Sequence, residues 1–200
     1  MIDWREWHAA YDDPESWVSQ RLAAVQEQVG LALSAAPPGP IRVLSLCAGQ
    51  GRDLLEVLPD HPRRSDVSAV LVELDPGLAP APVPGVSVRV GDAGLVDGYA
   101  DAAPADLLML CGIFGNVSDA DIERTAHEAG ALTAQGGTVI WTRHRDPPDL
   151  VPQVCAWFEE AGFARVWVSP VDAPYGVGVH RRTAPTAPLA PGTRLFTFAR

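Results

Sequence analysis

Apolar residues first recur along this chain at steps of three and four, and later change to short continuous runs. Val18, Leu22, Val25, Val29 and Leu33 form one stripe at helical spacing. Asp13 offers an N-cap and Pro14 suits the first helical position. Pro37-Pro38-Gly39-Pro40 stops the helix. Upstream, Trp4, Trp7, His8 and Tyr11 make a second, shorter stripe. From Ile41 the pattern alternates between strand and helix. Strands are expected at Ile41 to Cys47, Val67 to Leu74, Val86 to Val90, Leu107 to Cys111, Thr138 to Thr142, Phe163 to Ser169 and Arg194 to Phe198. Helices are expected from Arg52 to Leu58, from Ser118 to a Gly136-Gly137 stop, and from Asp149 to Gly162. Pro170 to Gly192 is rich in proline and glycine and reads as a long loop, with Tyr175 to Arg181 able to add a strand or a turn of helix.

Such alternation argues for an α/β fold, a mostly parallel sheet with helices on both faces. The 200 residues suffice for one domain with a core of ordinary size, residues 41–200, preceded by a helical extension, residues 1–40. Hydrophobic content of 47% against 20% charged residues excludes general disorder. No apolar run approaches the roughly 20 residues of a membrane span, and the first residues lack a secretory signal pattern. A net charge of -10 argues against a sequence-independent grip on nucleic acid. The basic residues are all arginine, so no role falls to a lysine. Cys47, Cys111 and Cys155 form no CxxC pair; they read as reduced thiols of a cytoplasmic protein, with neither disulfide nor metal site.

Ligands of open α/β sheets sit beyond the carboxyl ends of the strands, where the strand order reverses. Four such ends carry polar or glycine-rich residues here. Cys47-Ala48-Gly49-Gln50-Gly51-Arg52-Asp53 follows the first strand, and its glycines let backbone approach a ligand closely. Glu73 ends the second strand, where a carboxylate can accept both hydroxyls of a ribose. Gly91-Asp92-Ala93 ends the third, and Cys111-Gly112 opens the turn after the fourth. Each also has a plainer explanation: tight turns for the glycines, solvated strand ends for Glu73 and Asp92, helix-dipole complementation for Asp53. A dinucleotide fingerprint would require a third glycine, which is missing. Asp53 would oppose a pyrophosphate but attract the cationic amino-acid end of S-adenosylmethionine.

Together these segments resemble the class I S-adenosylmethionine-dependent methyltransferases. Val43 to Leu54 is similar to that family's first motif, Val72-Glu73-Leu74-Asp75-Pro76 to its second and Gly91-Asp92-Ala93 to its third. The resemblance covers residues 41 to about 169, and the final strand fits it. It implies a Rossmann-like, doubly wound, seven-stranded sheet with an antiparallel last strand, and S-adenosyl-L-methionine as cofactor. Ala48, Gly49, Gln50, Gly51 and Asp53 would then face the cofactor's methionine end, Glu73 and Leu74 its ribose, and Asp92 and Ala93 its adenine. Cys111 and Gly112 would also contact the cofactor. One departure stands out: Asp75 to Gly85 carries prolines at 76, 80, 82 and 84, so no helix forms there. An extended path of roughly 34 Å still returns the chain along a strand.

Methyl transfer from a sulfonium needs alignment above all, and a general base only where the acceptor loses a proton. His144, His8 and Tyr11 are the candidate catalytic residues, and Arg21 the candidate partner of the cofactor's carboxylate. The aromatic N-terminal stripe is expected to pack across the strand ends as a lid. Asn116 lacks the Asn-Pro-Pro-Tyr setting of many DNA and protein amino-methyltransferases, so the expected partner is a small-molecule methyl acceptor. Contact between copies of the chain in a homodimer is another use for the stripe. The competing readings are a nicotinamide-dependent oxidoreductase and a non-catalytic cofactor-binding module.

Overall fold

The computed structural model describes residues 11, 13 and 15–199. Trp4, Trp7 and His8 lie outside the described residues. Helix α1 (Trp17–Ala35) begins at Ser16, whose side chain accepts from the Ser19 N–H. Asp13, the expected cap, instead accepts from the Glu15 N–H. Val18, Leu22, Val25, Val29 and Leu33 are buried, as their spacing requires. Val25, Val29 and Leu33 pack against the sheet, each such burial contributing about 2 kcal/mol.

The sheet has seven strands: β1 (Ile41–Leu46), β2 (Val67–Glu73), β3 (Val86–Val90), β4 (Ala105–Leu110), β5 (Thr133–His144), β6 (Phe163–Val168) and β7 (Tyr175–Arg182), in the order β3-β2-β1-β4-β5-β7-β6. β7 runs antiparallel to both β5 and β6, and the other pairings are parallel. β1 lies between β2 and β4 with Val43 beside both Ala69 and Leu107, so the strand order reverses there and leaves a crevice at its carboxyl end. Helices α3 (Asp119–Leu132) and α4 (Val151–Glu160) cover one face, while α1 and the four-residue α2 (Arg52–Leu55) lie over the other. Gln26 of α1 donates to the carbonyl of Arg52 and to Glu56, which fastens α1 to the first strand-end turn. Among the described residues no helix is long and apolar enough to cross a membrane.

Several boundaries differ from the sequence expectation. α2 ends at Leu55 rather than Leu58, and a separate turn follows at Leu58–Asp60, with Pro59 in its first turn. Gly136-Gly137 does not stop α3: the helix ends at Leu132 and β5 starts at once, the glycines lying where the β4–β5 register shifts. α4 starts at Val151, and Asp149 accepts from its N–H. As expected, no helix joins β2 to β3.

The last strand is the largest correction. It is Tyr175–Arg182, inside the stretch that reads as loop, and not Arg194 to Phe198. Gly176 and Gly178 make this strand look like a turn, but they are there for space. A Cβ on Gly178 would stand 2.3 Å from the Trp141 ring, and one on Gly176 would stand 2.2 Å from Val151. The segment expected as the last strand makes only isolated bridges, Leu95 with Arg194 and Val117 with Phe198. It crosses the α3 side of the sheet, where the β3–β4 connection offers only two single turns, Val96–Gly98 and Ala100–Ala102. Leu195 and Phe196 are fully buried there beside Val96 and Tyr99.

A polar group sits within this core. His180 is wholly buried, accepts from the Trp141 indole N–H at 3.2 Å and stacks on Phe158. Burial, helped by the charge of Arg165, pushes its pKa down to about 4. The unfolded chain takes up this proton near pH 6.5, the folded one only near pH 4. The neutral core histidine therefore costs nothing above pH 6.5 and progressively destabilises the fold as the pH falls to 4. Between pH 7 and pH 4 the protein should lose about 3 kcal/mol more stability than a His180→Gln variant, read by urea denaturation. Gly178→Ala should cost about 1–3 kcal/mol or more by the same measurement, because the Trp141 ring must shift.

Candidate functional site

The turn after β1 is built on left-handed backbone. Cys47, Gly49 and Gly51 have φ of 56°, 53° and 71°. Cys47 is the only non-glycine residue with positive φ among those described, a conformation that costs about 1–2 kcal/mol and concentrates at functional sites. Two backbone bonds hold the turn: Ala48 donates to the carbonyl of Val72, and Gly51 to that of Ala48. The Gly49 N–H donates to Glu73 Oε2 at 2.8 Å, and the Asp75 N–H to Glu73 Oε1 at 2.9 Å. Glu73 is buried, so its charge is held by backbone dipoles. Each carboxylate oxygen keeps a second lone-pair direction.

Asp92 follows β3. Its carboxylate accepts from the Gly94 N–H and from Arg194, the latter at 3.1 Å. Arg194 belongs to the C-terminal segment, which continues past Asn116, where the Ala199 N–H donates to the Asn116 carbonyl. After β4, the Gly112 N–H donates to Thr142 Oγ1 and the Asn116 amide donates to the Gly112 carbonyl. Arg143 donates to the Phe114 carbonyl, which ties the β4 turn to the end of β5.

A charged cluster stands between the first turn and α1. Arg21 is buried, donates to the Tyr11 hydroxyl at 2.9 Å, and lies 5.5 Å from the Trp17 ring centroid. Arg52 lies 5.4 Å from the Tyr11 ring. Burial raises the Asp53 carboxyl above the ordinary range, offset in part by Arg21 and by a hydrogen bond with Cys111. Burial likewise pushes the Tyr11 hydroxyl up to about 12, so it stays protonated near neutrality.

These groups line one cavity of about 920 Å³ at the carboxyl ends of β1 to β5. Ligand pockets run from roughly 300 to 1,000 Å³, so this one has room for a nucleoside-sized molecule and a small second ligand. Of the residues singled out by sequence, Tyr11, Arg21, Ala48, Gly49, Gln50, Asp53, Glu73, Leu74, Asp92, Ala93, Cys111, Gly112 and His144 are on its wall. Gly51 stands behind it, packed against Leu55 and Leu71. His8 lies outside the described residues, as does most of the expected lid. Sequence reasoning missed Trp17, Thr142, Arg143 and Phe198. Thr142 and Arg143 had a usable signal, being at the end of a strand; the alternation around Phe198 signals a strand and nothing in it points to the cavity.

No protein-family model matches the chain, and no curated protein matches it in sequence. Solved structures do match. An O-methyltransferase family protein from Burkholderia thailandensis superposes with a TM-score of 0.64 at 17% identity, over 91% of this chain and 61% of that one. This chain therefore spans less than two thirds of that relative. A TehB-like SAM-dependent methyltransferase from Corynebacterium glutamicum gives 0.60 at 16% identity, over 88% and 98%. The 1,6-didemethyltoxoflavin-N1-methyltransferase of Burkholderia thailandensis, solved with its substrate and S-adenosylhomocysteine, gives 0.56 at 18% identity, over 92% of each chain. The fold is thus that of the class I S-adenosylmethionine-dependent methyltransferases. A shared fold leaves the chemistry to be argued from the site.

Of the two cavity thiols, Cys111 is buried and Cys47 half-buried. Burial raises the Cys111 thiol, with Asp53 adding to it, and burial together with Glu73 and Asp92 raises Cys47. Neither should form appreciable thiolate at pH 8. Iodoacetamide should label both far more slowly than a free cysteine in the native protein and at the ordinary rate in urea, as read by mass spectrometry.

Proposed function

We propose that this chain is an S-adenosylmethionine-dependent methyltransferase acting on a small molecule. The observation that carries this reading is the buried Glu73 carboxylate at the end of β2, fixed by the Gly49 and Asp75 N–H groups beside the 920 Å³ cavity. Its two remaining acceptor directions suit the vicinal hydroxyls of a ribose. Asp92, backed by the close-packed Ala93, stands one strand further out, in place for an exocyclic amine of an adenine. Arg21 and Asp53 offer opposite charges to a zwitterionic amino-acid end. When bound, the cofactor would supply an activated methyl group, and the residues along the wall would bind it, orient it and exclude water. Three of the matched solved proteins carry S-adenosylhomocysteine or S-adenosylmethionine, which agrees with this reading.

The same geometry argues against a dinucleotide. α2 has only four residues, so its N-terminus presents little dipole to a pyrophosphate, and Asp53 lies in its first turn. A small-molecule acceptor suits a cavity of this volume, with Trp17, Phe198 and His144 also on its wall. The net charge of -10 disfavours a nucleic-acid substrate.

Calorimetry should detect S-adenosylmethionine and S-adenosylhomocysteine, and Glu73→Ala should weaken both by about 1–3 kcal/mol. A thermal-shift series with NAD and NADP should show no stabilisation. Absence of binding at millimolar S-adenosylmethionine, or stabilisation by a dinucleotide alone, would overturn the assignment.

A further inference from the structure

The sheet is complete at β7, yet the chain continues and returns to the cavity. Residues 193–199 run as a strap from the end of β3 to the turn after β4. At the β3 end, the Val96 N–H donates to the Thr193 carbonyl and the Leu195 N–H to the Gly94 carbonyl. At the β4 end, the Ala199 N–H donates to the Asn116 carbonyl, and the Thr197 N–H to Asp121 Oδ2 in the first turn of α3. The order β3-β2-β1-β4 places β2 and β1 between these two anchors. A donor with its ribose at Glu73, the end of β2, and its base toward β3 has its purine at Asp92, within the span that the strap closes.

Three residues tie the strap to the purine end of the cavity. Asp92 Oδ1 accepts from the Gly94 N–H at 2.8 Å, and Oδ2 accepts from Arg194 Nη1 at 3.1 Å. Both carboxylate oxygens are thereby oriented, and each keeps a further lone pair. The Arg194–Asp92 pair is open to solvent, with side chains 45% and 51% exposed, so it adds little to the fold; what it fixes is the direction of the carboxylate. Gly94 is the point on which the strap rests. A Cβ there would stand 2.3 Å from the Phe196 carbonyl oxygen and 3.0 Å from Asp92 Oδ1. Gly94 is outside the left-handed region, so space alone calls for glycine. Beyond it, the Phe198 ring meets the fully buried Phe196 ring at 5.5 Å between centroids, with planes 74° apart. That contact seats Phe198 on the cavity wall, beside Ala199.

We propose that residues 193–199 clamp the purine of the donor, that Phe198 is the clamp's contact with the ring, and that Arg194 is a positioning residue that selects a 6-amino purine by orienting Asp92. This rests on the methyltransferase reading above. A carboxylate with both oxygens held presents only lone pairs to the cavity, so it accepts from a 6-amino group and opposes a 6-oxo group. An aromatic ring on the wall gives a purine a flat partner. The β3–β4 connection has no α-helix to cover this end, and the strap lies where such a helix would. Donor binding and strap docking are then linked. A donor that prefers the docked strap holds it down, and the docked strap raises donor affinity by the same factor.

The test uses the full chain with S-adenosylhomocysteine and with S-inosylhomocysteine, which carries an oxo group in place of the 6-amino group. Calorimetry should show the adenine compound binding about 10- to 100-fold more tightly. Arg194→Gln should shrink that preference by about threefold or more, with the urea midpoint unchanged, because the exposed pair contributes little to the fold. Hydrogen exchange read by mass spectrometry should slow in residues 193–199 by about fivefold or more on saturation with S-adenosylhomocysteine. Gly94→Ala lifts the strap, and should weaken S-adenosylhomocysteine by about tenfold and speed exchange in the same residues. Phe198→Ala, at a half-buried position, should weaken binding in the same direction and keeps the test decisive if Gly94→Ala does not fold. S-adenosylhomocysteine binding with strap exchange unchanged, or Arg194→Gln and Phe198→Ala both within about twofold of the native affinities, would overturn this inference alone. Failure of S-adenosylhomocysteine to bind the native chain would overturn the methyltransferase reading with it.

Discussion

One hydrogen bond sets the shape of the strand-end crevice: the Gly49 N–H to the buried Glu73 carboxylate. It links the turn after β1 to the end of β2 at the point where the strand order reverses. A buried carboxylate without such partners would take up a proton or disorder the turn. With them, both carboxylate oxygens are hydrogen-bonded and the backbone of Cys47 to Gly51 is held in its left-handed path. The strained Cys47 conformation is the counterpart of that arrangement, a local cost maintained by the surrounding ladder.

The rest of the molecule supports this crevice with fewer helices than a doubly wound sheet ordinarily has. Neither the β2–β3 nor the β3–β4 connection contains an α-helix. On the α3 side the deficit is filled by the C-terminal segment, which buries Leu195 and Phe196 and is fastened by backbone bonds to Gly94 and Asn116. Thr125 and Arg124 of α3 both donate to the Leu195 carbonyl, so the segment is also anchored to a helix. Because Arg194 reaches Asp92 and Phe198 lines the cavity, the chain's end is a structural part of the site. On the other side α1 contributes both a core face and, at its first turns, Trp17 and Arg21 to the cavity wall.

Division of labour within the cavity follows the sheet order. Carboxylates cluster over β2 and β3, where a neutral ribose and base would need hydrogen-bond acceptors. Arg143 and His144 stand at the end of β5, on the other side of the switch point. Burial keeps Tyr11 and the two cavity thiols protonated near neutrality.

The sequence alone determined the features that depend on near neighbours in the chain. The α1 stripe, the alternation of strands with helices, the proline-broken β2–β3 connection and the four strand-end motifs are all local patterns, set by periodicity, turn residues and forbidden backbone. Those patterns placed Gly49, Glu73, Asp92 and Gly112 correctly at carboxyl ends, and parallel topology then brought them into one crevice. Only the tertiary structure decided what depends on residues far apart. β7 was obscured because its glycines answer to Trp141 and Val151, on other elements. Arg194 to Phe198 looked like a strand because alternate apolar residues serve equally well for a segment that fills a gap between layers. His144 stands against Gly115 of the β4 turn, and Phe198 reaches the cavity wall through the return of the C-terminal segment, both contacts between residues distant in the chain. Local sequence fixes which conformations are cheap, but the space a side chain must share is set by whichever element the fold brings against it.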